Sequence, residues 1–152
     1  MRAILTALLL TIASQAGSAV WDPNNFDLKK LTSIKVVLED GASGACWTNL
    51  KEVREYAEEK LRMKGVKINN DVTTSEEDYT YSFTITVNSE RINNDGTGPC
   101  YGDVNAELYT FGFVNGSVHV IGAGKYDSIA FNSKNLNQTI IEVVRRFISE
   151  FK

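Results

Sequence analysis

The sequence contains one histidine, which is the first residue to consider for chemistry. His119 lies between Val118 and Val120 in a segment of strand-like composition. A Cys–His or Ser–His nucleophile needs its base within hydrogen-bond reach. No Gly-x-Ser-x-Gly elbow is present to expose a serine beside it. The pattern therefore favours a structural or solvent-facing histidine, and no catalytic residue is predicted.

Cys46 and Cys100 are the only cysteines. In a chain exported to an oxidising compartment, an even number of cysteines predicts a disulfide. Two buried, unpaired thiols are the alternative. A thiol redox enzyme is not indicated, because no Cys-x-x-Cys motif is present to lower the pKa of one thiol.

Motifs for phosphate and metal binding are incomplete. The run Gly122-Ala123-Gly124-Lys125 has neither the four-residue spacer nor the following Ser or Thr of a phosphate-binding loop. Cys and His residues are too few for a zinc site, and Asn93-Asn94-Asp95-Gly96 does not have the alternating ligands of a calcium loop. The acidic stretch from Asp71 to Asp78 is typical of a solvated loop. The sequence therefore predicts no metal and no cofactor.

The N-terminus has the features of a secretory signal peptide. Arg2 precedes an apolar run that starts at Ala3, and the small residues Ala16-Gly17-Ser18-Ala19 follow it. The run is shorter than the about 20 apolar residues that span a bilayer, and no later segment qualifies as a transmembrane segment. We therefore expect residues 1–19 to be a signal peptide and residues 20–152 to form a single periplasmic or secreted domain.

The net charge argues against one class of partner. It is −3 for the whole chain, and −4 once Arg2 is removed with the leader. Nonspecific nucleic-acid binding depends on Lys and Arg that neutralise phosphates, so nucleic acid is not an expected partner. Composition does not determine the oligomeric state.

The spacing of apolar residues predicts five strands and two helices. The strands fall at 31–38, 66–68, 79–88, 101–114 and 117–126, and residues 127–134 are predicted to form a loop. The helices fall at 49–64 and 136–151, where Asn49 with Glu52 and Asn135 with Gln138 have capping-box spacing. Strand 79–88 alternates strictly, which indicates one packed face and one wet face.

These elements predict the α+β class, in the order β-α-β-β-β-β-α. Two amphipathic helices and a sheet with one wet face favour a two-layer sandwich, in which both helices lie on one face of a mixed, mostly antiparallel sheet.

The hairpin around Asn115-Gly116 is the least regular part of the pattern. A two-residue turn there pairs Phe113 with Val118, Phe111 with Val120, Tyr109 with Gly122 and Leu108 with Ala123. Both faces near the tip are then partly apolar. A β-bulge near Gly112 or a covering loop would explain this. The alternative is an exposed aromatic patch of Tyr109, Phe111 and Phe113 that binds a partner.

The stretch Cys46-Trp47-Thr48-Asn49-Leu50, the strand entry Lys64-Gly65-Val66-Lys67-Ile68 and the closing helix at 140–147 are similar to segments of small exported bacterial α/β proteins of unassigned role. The layout also resembles periplasmic accessory modules, including the N-terminal domain of TolB and the outer-membrane activators of peptidoglycan synthases. Unlike the activators, this chain has no lipid-anchor cysteine after the leader. The resemblance implies an exported accessory role and assigns no functional residue.

The sequence therefore predicts a binding module rather than an enzyme, with a protein or a cell-envelope component as its partner. The partner would contact the sheet, through the aromatic tip and the hydroxyl-bearing strand face of Thr80, Ser82, Thr84 and Thr86. A small secreted hydrolase, or a hydrolase inhibitor, is the alternative.

Overall fold

The computed structural model describes residues 27–28, 31, 33–70, 81–93, 97–114 and 117–151, without the side chains of 112–114, 117–121 and 123. The predicted signal peptide and the acidic stretch from Asp71 to Asp78 lie outside these ranges. Trp47 and Cys46 are buried where the chain enters its first helix.

The described chain forms one four-stranded mixed sheet and two helices. The elements are β1 (Ile34–Asp40), α1 (Leu50–Met63), β2 (Tyr81–Arg91), β3 (Cys100–Val114), β4 (Ser117–Asn132) and α2 (Asn137–Glu150). The strands lie in sequence order, β1-β2-β3-β4. β1 is parallel to β2, and the other two pairs are antiparallel. The predicted α+β class and two-layer arrangement are confirmed.

One predicted strand and one predicted loop are wrong. The strand expected at 66–68 is reduced to an isolated parallel bridge between Ile34 and Ile68, on the side of β1 that does not pair with β2. The loop expected at 127–134 is largely strand, since β4 continues to Asn132. Ile129 and Phe131 supply the β propensity that extends it.

The core lies between the packed face of the sheet and the two helices. Phe83 of β2 stacks on Phe147 of α2 with ring centroids 5.2 Å apart, and Phe147 contacts Phe151 edge to face. The core residues of α1 are Val53, Ala57 and Leu61, spaced four apart on one face of the helix. Burial of these side chains holds both helices on the same face of the sheet.

The helix ends differ from the predicted capping boxes. Asn49 makes no side-chain bond to the backbone of α1, and its amide instead donates to the Glu52 carboxylate at 2.9 Å. Before α2, the side chain of Asn135 accepts from the backbone N–H of Asn137 at 3.2 Å. The C-terminal end of α1 behaves as predicted, because Gly65 takes a left-handed φ of 86° that an L side chain rarely adopts.

Candidate binding surface

The face of the sheet opposite the helices carries the candidate surface, which we call the open face. Neither described helix covers it. Four of the six exposed large apolar side chains in the described residues lie there: Tyr101, Phe111, Ile129 and Phe131. Tyr101 and Phe111 are ten residues apart on β3, about 33 Å at the usual rise of a strand. The open face therefore has two separate apolar ends.

A β-bulge in β4 determines which residues reach the open face. Tyr109 pairs with Gly122 but Leu108 pairs with Gly124, so Ala123 is an extra residue in β4. The pairs predicted from Phe113 to Tyr109 are confirmed, and the expected pair Leu108–Ala123 is wrong. A bulge near Gly112 of β3 is one of the explanations that the sequence allows, and the structure places the bulge at Ala123 of β4 instead.

The bulge turns Lys125 and Asp127 outward. In an unbroken ladder Lys125 would pair with Ala106, which is fully buried on the helix side. Because Ala123 bulges out of the ladder, Lys125 pairs with Glu107 on the open face, and Tyr126 pairs with Ala106. A one-residue shift exchanges the two faces of a strand. The same shift places Ile129 and Phe131 on the open face, opposite Asp103 and Tyr101.

Tyr101, Ile129 and Phe131 form what we call the edge patch. Their side chains are 41%, 93% and 65% exposed. They lie where β3 begins and β4 ends, and β4 is the last strand of the sheet, paired only with β3 among the described residues. Sequence reasoning missed the patch because it assigned residues 127–134 to a loop. The alternation of Lys125, Asp127, Ile129 and Phe131 was the available signal.

The disulfide fixes the backbone beside the edge patch. Cys46 and Cys100 are bonded, with an S–S distance of 2.01 Å and a Cα–Cα distance of 5.6 Å, as predicted. Cys100 directly precedes Tyr101. Arg91 of β2 pairs with Cys100 in the strand ladder. Its guanidinium donates to three backbone carbonyls, those of Gly44, Gly98 and Lys134. The loops at this end are therefore tied to the sheet, so the patch rests on ordered backbone.

Acidic groups border the edge patch. Glu90 and Asp103 line a cleft of about 320 Å³ together with Asn88 and Tyr101. The phenol of Tyr101 donates to the carboxylate of Glu90. This hydrogen bond, followed by the negative charge of Glu90, raises the pKa of Tyr101 above its ordinary value. The surroundings of the patch are therefore polar and negatively charged.

Two hydroxyls of the predicted strand face make internal hydrogen bonds. Thr86 donates to Glu39 at 2.8 Å. Thr84 is only 5% exposed and lies 3.4 Å from the phenol oxygen of Tyr109. Ser82 pairs in register with Tyr109 on the same face, and Thr80 lies outside the described residues. Thr84 and Thr86 therefore already have partners within this chain.

The structure brings two of the three predicted tip aromatics together. The rings of Tyr109 and Phe111 meet edge to face with centroids 5.7 Å apart, and Phe111 is about half exposed. The backbone of Phe113 pairs with Val118 as predicted, and its side chain is outside the description. The tip aromatics lie at the opposite end of β3 from the edge patch.

The other residues considered for chemistry form no site in the part of the chain that the structure describes. The backbone of His119 pairs with Gly112 within the hairpin, and its side chain is not described. Gly122 and Gly124 flank the bulge instead of opening a helix, so the phosphate-loop interpretation fails. Across the described ranges, no three His, Cys, Asp or Glu residues come together to hold a metal ion. Of the helices described, none is long and apolar enough to cross a membrane.

Comparisons with known proteins give only weak structural similarities. No family model matches the sequence, and no curated protein matches it significantly. A minor lipoprotein from Acinetobacter baumannii is 9% identical with a TM-score of 0.35, over 78% of this chain and 93% of that one. The rare lipoprotein B from Shewanella oneidensis is 11% identical with a TM-score of 0.34, over 76% and 91% of the two chains. An uncharacterized protein is 10% identical with a TM-score of 0.30, over 82% and 91%. Similarities of this size carry no argument about function.

Proposed function

We propose that this protein is an exported binding module that takes an extended segment of a partner protein onto the free edge of β4. Two features support export: the leader-like residues 1–19, and the buried disulfide, which is typical of oxidising compartments. The site is the edge patch together with the β4 backbone beside it.

The length of β4 supports strand addition. β4 has 16 residues and ends the sheet, so its outer edge presents N–H and C=O groups that β3 does not use. An added strand binds such groups through main-chain hydrogen bonds, and its alternate side chains contact one face of the sheet. Lys125 and Asp127 form an ion pair at 3.2 Å in the middle of β4. Beyond them the exposed residues of the edge are apolar, which favours pairing at the end that carries Ile129 and Phe131.

The chemistry of the patch specifies the partner segment. Ile129 and Phe131 offer an apolar surface to side chains on one face of an incoming strand. Glu90 and Asp103 lie beside them and offer negative charge. The complementary segment is therefore an extended stretch of apolar residues that also carries Lys or Arg.

A single observation carries the proposal. Ile129 is 93% exposed in the interior of a strand that is otherwise well formed. Isoleucine is among the residues most often found fully buried in folded proteins. A partner that covers Ile129 and Phe131 would remove both from water.

Site-specific photo-crosslinking tests this proposal in producing cells. A benzophenone amino acid replaces Phe131, and a matched control places it at Met63, an exposed apolar residue of α1. We expect a discrete crosslinked product from position 131 only. Ile129→Lys should abolish this product, while Met63→Lys should leave it intact. In the isolated complex, backbone amides from 124 to 131 should exchange hydrogen more slowly than in the free protein.

Three results would overturn the proposal. Equal crosslinking from positions 63 and 131 would show nonspecific apolar contact. A product of twice the chain mass would show that a second copy is the occupant. Unchanged exchange across β4, with protection confined to the helices, would exclude strand addition.

A further inference from the structure

A groove between the two helices lies in the helix layer, on the opposite side of the sheet from the open face. Its volume is about 370 Å³, within the range of small-molecule sites. Seven residues line it: Tyr56, Lys60, Met63, Lys64, Arg145, Ile148 and Ser149.

The walls of the groove are largely apolar. Ile148 is buried and forms part of the floor, and Tyr56 is half buried. Met63 is 71% exposed, which is unusual for a large apolar side chain beside a concave surface. Its thioether chain is unbranched and flexible, so it adapts to ligands of different shape. The groove therefore suits a flexible hydrocarbon chain.

The polar residues at the groove are predominantly cationic. Lys64 caps the C-terminal end of α1, one turn beyond Lys60, so the two side chains lie on the same side of the helix. Arg145 faces them from α2, and no acidic residue belongs to the lining. This arrangement is notable because the chain as a whole carries a net charge of −3.

Nearby groups do not neutralise these cations. Lys64 donates to the backbone carbonyl of Phe151, which carries no net charge. Lys60 lies over the ring of Tyr56 and makes a long ion pair with Glu59 at 3.7 Å, which contributes little because it lies at the surface.

Arg145 shares its carboxylate with a second guanidinium. Glu142 binds both Arg145 and Arg146, at 2.6 Å and 3.0 Å. One carboxylate between two guanidiniums leaves a surplus positive charge at the rim of the groove.

We propose that this groove binds a single-chain anionic amphiphile of the fatty-acid class. The hydrocarbon chain lies against Met63, Tyr56 and Ile148, and the carboxylate lies between Lys60 and Lys64. The volume fits one such chain. This site is independent of strand binding at β4.

Methyl NMR with decanoate tests the site on the oxidised, purified protein. Met63 is one of two methionines in the chain, and Met63→Leu assigns its methyl signal. We expect decanoate to shift this signal in a saturable way, more tightly than decan-1-ol and far more tightly than decyltrimethylammonium. The double variant Lys60→Gln with Lys64→Gln should weaken decanoate binding by about tenfold or more, because each lysine supplies a charge-assisted contact.

Matched variants separate the site from general effects. Lys51→Gln with Lys67→Gln removes two exposed lysines outside the groove and should leave decanoate affinity unchanged. The Lys60/Lys64 double variant should keep the affinity of the wild type for decan-1-ol. Met63→Glu should abolish decanoate binding in a folded protein, while Ile129→Glu should not.

Three results would overturn the proposal. The first is a Met63 signal that decanoate does not shift. The second is equal affinity for decanoate and decyltrimethylammonium, which would show that charge is not recognised. The third is a double variant that loses decanoate and decan-1-ol affinity to the same degree, which would show that the lysines act only on structure.

Discussion

Lys125 pairs with Glu107 across β3 and β4, instead of with the fully buried Ala106, because Ala123 bulges out of the ladder. The bulge keeps Lys125 and Asp127 out of the core. It also exposes Ile129 and Phe131, since they share the face of Lys125. The bulge therefore links the stability of the sheet to the edge patch.

A second alanine inserted after Ala123 should destabilise the fold severely. If the ladder still accommodates only one extra residue, Lys125 moves to the helix side opposite Ala106, and burial of uncompensated charge costs about 3 kcal/mol or more. Deleting Ala123 is the control, because the ladder then closes without a bulge and Lys125 still pairs with Glu107. Urea unfolding measures the stability of both variants. Equal stability of the insertion and deletion variants would show that the ladder does not set the face of Lys125.

The sequence predicted most of the fold because its helices and long strands have clear periodicity. The alternation from Tyr81 to Val87 and the apolar stripe of α2 each specify one buried face, and the structure has both. The pairs from Phe113 to Tyr109 followed from the Asn-Gly turn signal.

The edge patch was not predictable by the same reasoning. Its exposure depends on the bulge at Ala123, which avoids the cost of burying Lys125 against Ala106. That cost depends on contacts between strands, whereas periodicity describes each strand by itself. The helix groove was missed for a similar reason, because it requires the relative placement of Lys60 and Arg145 on two helices.

Removing the disulfide should lower the free energy of unfolding by about 4 kcal/mol. The bond joins residues separated by 54 positions, and the chain-entropy model gives this magnitude for a loop of that size. The variant Cys46→Ala with Cys100→Ala, compared with the oxidised wild type in urea, measures the change. The reduced wild type is the control and should resemble the variant. Equal stability of all three would contradict a stabilising role.

Glu142 should make stability depend on pH in the acidic range. The hydrogen bonds from Arg145 and then Arg146 lower the pKa of Glu142 from 4.5 to about 2. Because the folded-state pKa lies below the unfolded value, the stabilisation is present above about pH 4.5 and is lost as the pH falls towards 2. Glu142→Gln should therefore reduce stability at neutral pH and match the wild type at the acidic limit.

Two controls test whether the effect of Glu142→Gln on stability comes from its ion pairs: added salt and a second variant. The effect should be small and should shrink in high salt, since Glu142 is on the surface. Glu55→Gln, which removes a carboxylate from the exposed pair with Lys51, is the matched control and should lower the free energy of unfolding at neutral pH by less than Glu142→Gln does. If the free energy of unfolding differs between Glu142→Gln and the wild type by the same amount from pH 7 to 2, the ion-pair explanation is contradicted.

Two phenylalanines on opposite faces of the sheet should respond very differently to truncation. Phe147 is 1% exposed and stacks on Phe83, so Phe147→Ala should cost about 3–5 kcal/mol from lost burial and the cavity left behind. Phe131 is 65% exposed, so Phe131→Ala should change stability by about 0.5 kcal/mol or less. Urea unfolding of the isolated protein measures both. A large loss for Phe131→Ala would show that the edge patch packs against part of this chain, and strand addition at β4 would then no longer follow from its exposure.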